Sequence, residues 1–155
     1  MRRISLIALL LIVVSVLPVQ AARGRSGLEQ EVLRDFEQIL DLWRDGRYGD
    51  LFDRTAGGKA SKELFAKKLA SAPRKPACCW EKMQDARVSL KGERAATVRA
   101  RLGFEGGASG TEFVTKGIKL KKEGDVWVIS QSDLFSLADL SKKRARYKYL
   151  PIQPK

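Results

Sequence analysis

Histidine is absent from all 155 residues of the sequence. Most serine and cysteine nucleophiles depend on a histidine base, and catalytic zinc is commonly held by histidine, so these sites are excluded. The sequence therefore predicts no catalytic residue of these kinds, no metal and no cofactor. Cysteine is nearly absent as well, and its two copies, Cys78 and Cys79, are adjacent. Two thiolates alone do not complete a structural zinc site, and this spacing is not the Cys-x-x-Cys motif of redox proteins.

The adjacent cysteines leave three interpretations open. They have a structural or incidental role, they form an intermolecular disulfide or a strained bridge to each other, or they carry redox chemistry. Trp80 follows them directly. Because large aromatic side chains are usually buried, we expect Trp80 to lie in the core.

Long apolar runs are absent outside the amino terminus. Residues 4–17 form a run of 14 residues that is apolar apart from two serines. This run is too short for a membrane span, which needs about 20 residues. Arg2 and Arg3 precede this run, Pro18 ends it, and small residues lead up to Ala21. The pattern predicts a signal peptide over residues 1–21, cleaved after Ala21, and hence export to the periplasm or the exterior. An uncleaved anchor is the alternative.

Acidic residues are scarce in the second part of the chain, and the formal net charge of the whole chain is accordingly positive, at +12. Residues 28–54 hold eight acidic and four basic residues, whereas residues 55–155 hold ten acidic and 22 basic ones. The densest basic block contains Lys142, Lys143, Arg144 and Arg146. Such an excess indicates an anionic partner, and export favours anionic lipid, acidic polysaccharide or an acidic protein over nucleic acid. A solvated surface without a ligand is the alternative.

The hydrophobic pattern changes period once along the chain. Apolar residues recur every three or four positions in the first part, which predicts helices, and every second position afterwards, which predicts strands. The expected helices cover residues 28–45, 47–54 and 62–71, and the expected strands cover residues 80–90, 94–104, 111–122 and 126–132. The sequence thus predicts an α+β domain over residues 28–140, with three N-terminal helices packed on a four-stranded antiparallel sheet. Residues 22–27 form a leader and residues 141–155 a basic C-terminal tail.

Two motifs resemble the nuclear transport factor 2-like superfamily. Leu42-Trp43-Arg44-Asp45-Gly46-Arg47-Tyr48 resembles the end of its first helix, and Gly124-Asp125-Val126-Trp127-Val128-Ile129 resembles its last hairpin. The resemblance covers about residues 28–133 and implies a curved sheet, a cone-shaped roll that wraps the first helix and leaves a pocket at its open end. Its members include isomerases, dehydratases, hydrolases and many binding modules, and they commonly dimerise through the sheet. The resemblance therefore implies a homodimer but not one function.

The expected pocket is aromatic. A small apolar ligand is predicted to meet six side chains: Trp43, Tyr48, Phe52, Phe104, Phe113 and Trp127. An ordinary core is the alternative for the same residues. Enzymes of the resembled superfamily use Asp/His or Asp/Tyr pairs, so an isomerase or hydrolase would rely on Asp50 or Asp53 with Tyr48. Because histidine is missing and the inward strand positions carry no carboxylate, we predict a non-catalytic binding or accessory domain for a small ligand or a protein.

The opposite face of the predicted sheet is basic. Strand alternation places five bases on one surface, away from the apolar positions: Arg87, Arg99, Arg101, Lys119 and Lys121. Together with Lys142, Lys143, Arg144 and Arg146 of the tail they predict an anion-binding surface. The alternative is a charged face that prevents the sheet from pairing with other sheets.

Overall fold

The computed structural model describes residues 26–106 and 110–140. The predicted signal peptide, residues 1–21, and the predicted basic tail, residues 141–155 with Lys142, Lys143, Arg144 and Arg146, lie outside the described residues. Within the described residues, no helix has the length and apolar character needed to cross a membrane.

The first half of the described chain is helical, as its hydrophobic period predicts. Helix α1 covers residues 26–44, and α2 (Tyr48–Phe52) and α3 (Lys62–Ala70) follow it. The hydroxyl of Ser61 caps α3 by accepting a hydrogen bond from the backbone N–H of Leu64 at 3.3 Å. Hydrogen bonds from its own backbone N–H and from the Ser61 hydroxyl lower the pKa of the Glu63 carboxyl. The helical half of the α+β prediction is confirmed.

A five-stranded mixed sheet forms the second half of the fold. Its spatial order is β1-β5-β4-β3-β2, and only the β1–β5 pair is parallel. The strands are β1 (Thr55–Ala56), β2 (Met83–Leu90), β3 (Ala95–Gly106), β4 (Gly110–Glu123) and β5 (Val126–Ser130). Helix α4 (Gln131–Leu137) follows, capped by the Ser130 hydroxyl.

The structure differs from the predicted architecture in four elements. The two-residue strand β1 adds a fifth, parallel strand, and α4 adds a fourth helix. Strand β1 is too short to show a hydrophobic period, so the sequence carries no signal for it. The apolar residues from Leu134 onwards do predict a short helix packed on the domain, and α4 is that helix, beginning at Gln131. The expected strand at residues 80–90 begins at Met83 instead, because Cys79–Lys82 form a 3₁₀ turn. Helix α1 also includes residues 26 and 27, which the sequence analysis assigned to the leader.

One hydrophobic core lies between the helices and the inner face of the sheet. Helix α1 contributes Phe36, Ile39 and Trp43, and α3 contributes Phe65. The inner face of the sheet contributes alternate positions of its central strands, which include Val98, Leu102, Phe104, Ile118, Leu120, Trp127 and Ile129. The opposite face, turned away from these helices, is called the outer face below.

Candidate anion-binding face

The outer face brings together the five bases that strand alternation places there. All five are exposed. Arg87 of β2 stands opposite Arg99 of β3, and Lys119 and Lys121 of β4 stand opposite Thr97 and Ala95 of β3. We call the set Arg87, Arg99, Arg101, Lys119 and Lys121 the basic strip. Because the two arginines at its centre are directly opposed, like charges face each other across one ladder position.

An irregularity in the ladder creates a depression beneath the strip. The register between β2 and β3 shifts between Gln84 and Arg87, so that Asp85 and Ala86 have no Cα partners on β3. Asp85 adopts a left-handed conformation with φ of 52°. A β-bulge of this kind bends the strand and takes backbone groups out of the ladder.

The depression has a volume of about 420 Å³. Three guanidinium side chains and one carboxylate lie on its wall, which consists of Asp85, Ala86, Arg87, Arg99, Ala100, Arg101 and Thr115. On its β4 side Arg99 stands opposite Gly117, which has no side chain to fill the space above the strand. Strand alternation predicts the three arginines on this face. Asp85, Thr115 and the bulge were not predicted, since no local residue pattern indicates a register shift.

The bases of the strip form no ion pair with a carboxylate in the described part of the chain. None of its five bases lies within 4.0 Å of a carboxylate oxygen of a described residue, whereas eight other bases do. Those eight are Arg34, Arg44, Arg47, Arg54, Lys62, Arg74, Lys82 and Lys122. Some exposed lysines of the helices also stand alone, but the strip differs from them because its members are neighbours on adjacent strands.

An aromatic ring continues the strip at its Arg101 end. The guanidinium carbon of Arg101 lies 4.1 Å from the centroid of the Phe113 ring, a cation–π contact that orients the arginine along the sheet. Phe113 stands opposite Gly103 of β3. It therefore lies on the outer face, and the predicted pocket set is divided between the two faces of the sheet.

The 3₁₀ turn Cys79–Lys82 crosses the outer face just beyond Arg101. A Cβ atom on Gly103 would lie 2.2 Å from the backbone oxygen of Glu81, so the turn packs directly on this glycine. The Glu81 carboxylate reaches across β3 and accepts a hydrogen bond from the Thr111 hydroxyl of β4 at 2.8 Å. The turn thus closes the end of the strip.

Trp80 lies on this turn, and the prediction that it is buried in the core is wrong. Its side chain is 72% exposed. The backbone of the turn, not a side chain, packs against Gly103 of β3, and the indole is left on the solvent side. Cys78 and Cys79 are joined by a disulfide to each other and are exposed beside Trp80.

The remaining predicted pocket aromatics lie on the core side. Trp43, Phe104 and Trp127 are at most 1% exposed, and the rings of Trp43 and Phe104 are 5.8 Å apart. Tyr48 and Phe52 are partly buried against this core. These five residues fill the interior between helices and sheet, which matches the alternative of an ordinary core.

The carboxylates of the enzyme alternative point to solvent. Asp50 pairs with Arg47 at 2.6 Å, and Asp53 pairs with Lys62 at 2.9 Å. Their side chains are 56% and 63% exposed, and neither lines the depression of the outer face. Within the described residues, no group of three or more acidic or cysteine side chains is arranged to hold a metal ion.

No protein-family model matches the chain, and no curated protein matches its sequence.

Proposed function

We propose that this protein is an exported, non-catalytic binding domain that takes an anionic ligand on the outer face of its sheet. The observation that carries the proposal is the depression over the β2 bulge, which Arg87, Arg99 and Arg101 line without ion-pair partners among the described residues. Guanidinium groups bind carboxylate, sulfate or phosphate through paired hydrogen bonds, and they remain charged at all physiological pH values.

The energetics of the sheet support a ligand at this position. Directly opposed like charges cost a few tenths of a kcal/mol on a sheet face, and an anion between Arg87 and Arg99 reverses the sign of that interaction. The bulge interrupts the regular register at Asp85 and Ala86, next to these arginines. A single carboxylate, that of Asp85, leaves the wall of the depression with a net positive charge.

Export and family membership belong to the same proposal. The Arg-Arg, apolar and small-residue order of residues 1–21 supports a cleaved signal peptide and a periplasmic or secreted protein. The order of three helices followed by four long antiparallel strands supports the nuclear transport factor 2-like roll. The basic residues of the tail would extend the same anionic recognition.

The test compares two neutralised bases. Arg99→Gln should weaken binding of dextran sulfate by about tenfold at low salt, because it removes the central guanidinium of the depression. Lys67→Gln, on the exposed side of α3 and away from the sheet, is the matched control and should change the affinity less than twofold. Calorimetry or polarisation measures both.

Salt dependence completes this test. Wild-type affinity should fall steeply as sodium chloride rises, since exposed charges are screened within about 8 Å at physiological ionic strength. Equal losses for the two variants, or an affinity independent of salt, would contradict the proposal.

A further inference from the structure

We infer that the ligand is an acidic polysaccharide, with one sugar ring stacked on Trp80 and its neighbouring acidic groups along the basic strip. This inference rests on the proposed anionic function of the outer face and specifies the class of ligand. An exposed indole lies beside a row of bases that have no ion-pair partner among the residues the structure describes.

The turn that carries Trp80 adjoins the Arg101 end of the strip. The turn that carries Trp80 packs on Gly103, which lies two residues beyond Arg101 on the same face of β3. Two residues along a strand span about 7 Å. The Phe113 ring also lies at this end of the strip, since Phe113 stands opposite Gly103 and its ring contacts Arg101.

The shape of the strip favours a polymer over a single small anion. From Arg101 to Ala95, the partner of Lys121, β3 extends about 20 Å, and the bases are distributed over this whole distance. A linear chain with one acidic group on each unit can meet several of them at once. A free phosphate or sulfate would engage the three arginines of the depression alone.

The aromatic groups distinguish a polysaccharide from the other polyanions. The C–H face of a sugar ring packs well on an indole, which is a rigid apolar surface. Single-stranded nucleic acid would favour aromatic platforms alternating with the bases along the groove, yet here both rings lie at one end. A membrane would favour several exposed apolar side chains, and Trp80 is the one large exposed apolar residue among those described on this face.

The fluorescence of the protein provides a direct test. Of its three tryptophans, Trp43 and Trp127 are fully buried and Trp80 is 72% exposed, so acrylamide quenching of the intact protein reports on Trp80. A defined oligogalacturonate should protect the emission from acrylamide, and a neutral malto-oligosaccharide of equal length should not. Trp80→Ala should remove the quenchable emission without lowering the melting temperature.

Affinities separate this inference from the proposed function. Trp80→Ala should weaken oligogalacturonate binding by about tenfold, Trp80→Phe should recover part of that loss, and the affinity of Trp80→Ala for inorganic sulfate should be unchanged. Equal binding of oligogalacturonate by wild type and Trp80→Ala would overturn the inference. So would tighter binding of a single-stranded oligonucleotide or of phosphatidylglycerol vesicles. If the inference fails in one of these ways, weaker binding of dextran sulfate by Arg99→Gln would still support an anion site on the outer face. Absence of binding to every anion tested would overturn both the inference and the proposed function.

Discussion

Asp35 is buried, whereas the helical period of α1 predicts an exposed position for it. It is only 3% exposed. Its carboxylate accepts a hydrogen bond from the backbone N–H of Trp127 at 2.9 Å and from the Arg34 guanidinium at 3.1 Å. A guanidinium nitrogen of Arg54 lies 3.9 Å away. Asp35 therefore joins α1 to β5 across 92 positions of the sequence.

Replacing this carboxylate should destabilise the fold more than replacing an exposed one. Asp35→Ala leaves a buried N–H without an acceptor and removes the carboxylate beside Arg54, so we expect a loss of about 3 kcal/mol in the free energy of unfolding. Asp50→Ala, which breaks an exposed pair with Arg47, should cost less than about 1 kcal/mol. Urea unfolding measures both. Equal losses would show that the buried carboxylate contributes no more than a surface one.

At the scale of elements, the end of the basic strip depends on how closely the 3₁₀ turn approaches β3. Gly103 is buried under the Glu81 backbone, and the chain just before the turn also pairs with β3, since the Ala77 N–H donates to the Gly103 carbonyl at 2.9 Å. The hydrogen bond from Thr111 to Glu81 fixes the other side of the turn. The position of Trp80 therefore follows from a glycine 23 residues later in the sequence.

A methyl group at position 103 should displace this turn. In Gly103→Ala the new Cβ would meet the Glu81 oxygen at 2.2 Å, a backbone contact that cannot rotate away. We expect a loss of about 1–3 kcal/mol in unfolding free energy and an altered Trp80 emission. Gly117→Ala on β4 is the control, because its Cβ would lie 3.7 Å from the nearest atom, an ordinary contact. A Gly103→Ala protein as stable as Gly117→Ala would contradict the close approach.

At the scale of the whole molecule, charge is distributed by face as well as by segment. The acids of residues 28–54 are largely paired on the helices, where Asp41 binds Arg44 and Lys82. The outer face of the sheet carries the basic strip, whose members form no ion pair with another described residue. This separation allows a stable core and a surface that attracts anions to coexist in one small domain.

Because the sequence contains no histidine, we expect anion binding to be nearly independent of pH around neutrality. No side chain with an ordinary pKa near neutrality is present, and arginine and lysine stay charged across this range. The affinity for dextran sulfate, whose sulfates remain ionised, should therefore change less than about twofold between pH 5.5 and 8. Polarisation titrations at constant ionic strength measure it. A several-fold decrease over this interval would contradict binding through guanidinium groups.

Much of the fold follows from local patterns in the chain. The change of period near Cys79 predicts an α+β domain, and the alternation of β3 and β4 places Arg99, Lys119 and Lys121 on the outer face. Such predictions succeed because the side-chain direction in a long helix or strand depends only on position along that element. The same rule identifies the interior residues Val98 and Leu102.

Tertiary contacts decided the rest. The fold class, the basic character of the outer face and the exclusion of histidine chemistry were predictable without the structure, because they depend on composition and on short-range periodicity. Only the folded chain decided that Asp35 is buried, that β2 bulges at Asp85 and that Trp80 is exposed. Each of these outcomes depends on a partner far away in sequence, and no local pattern of residues carries that information.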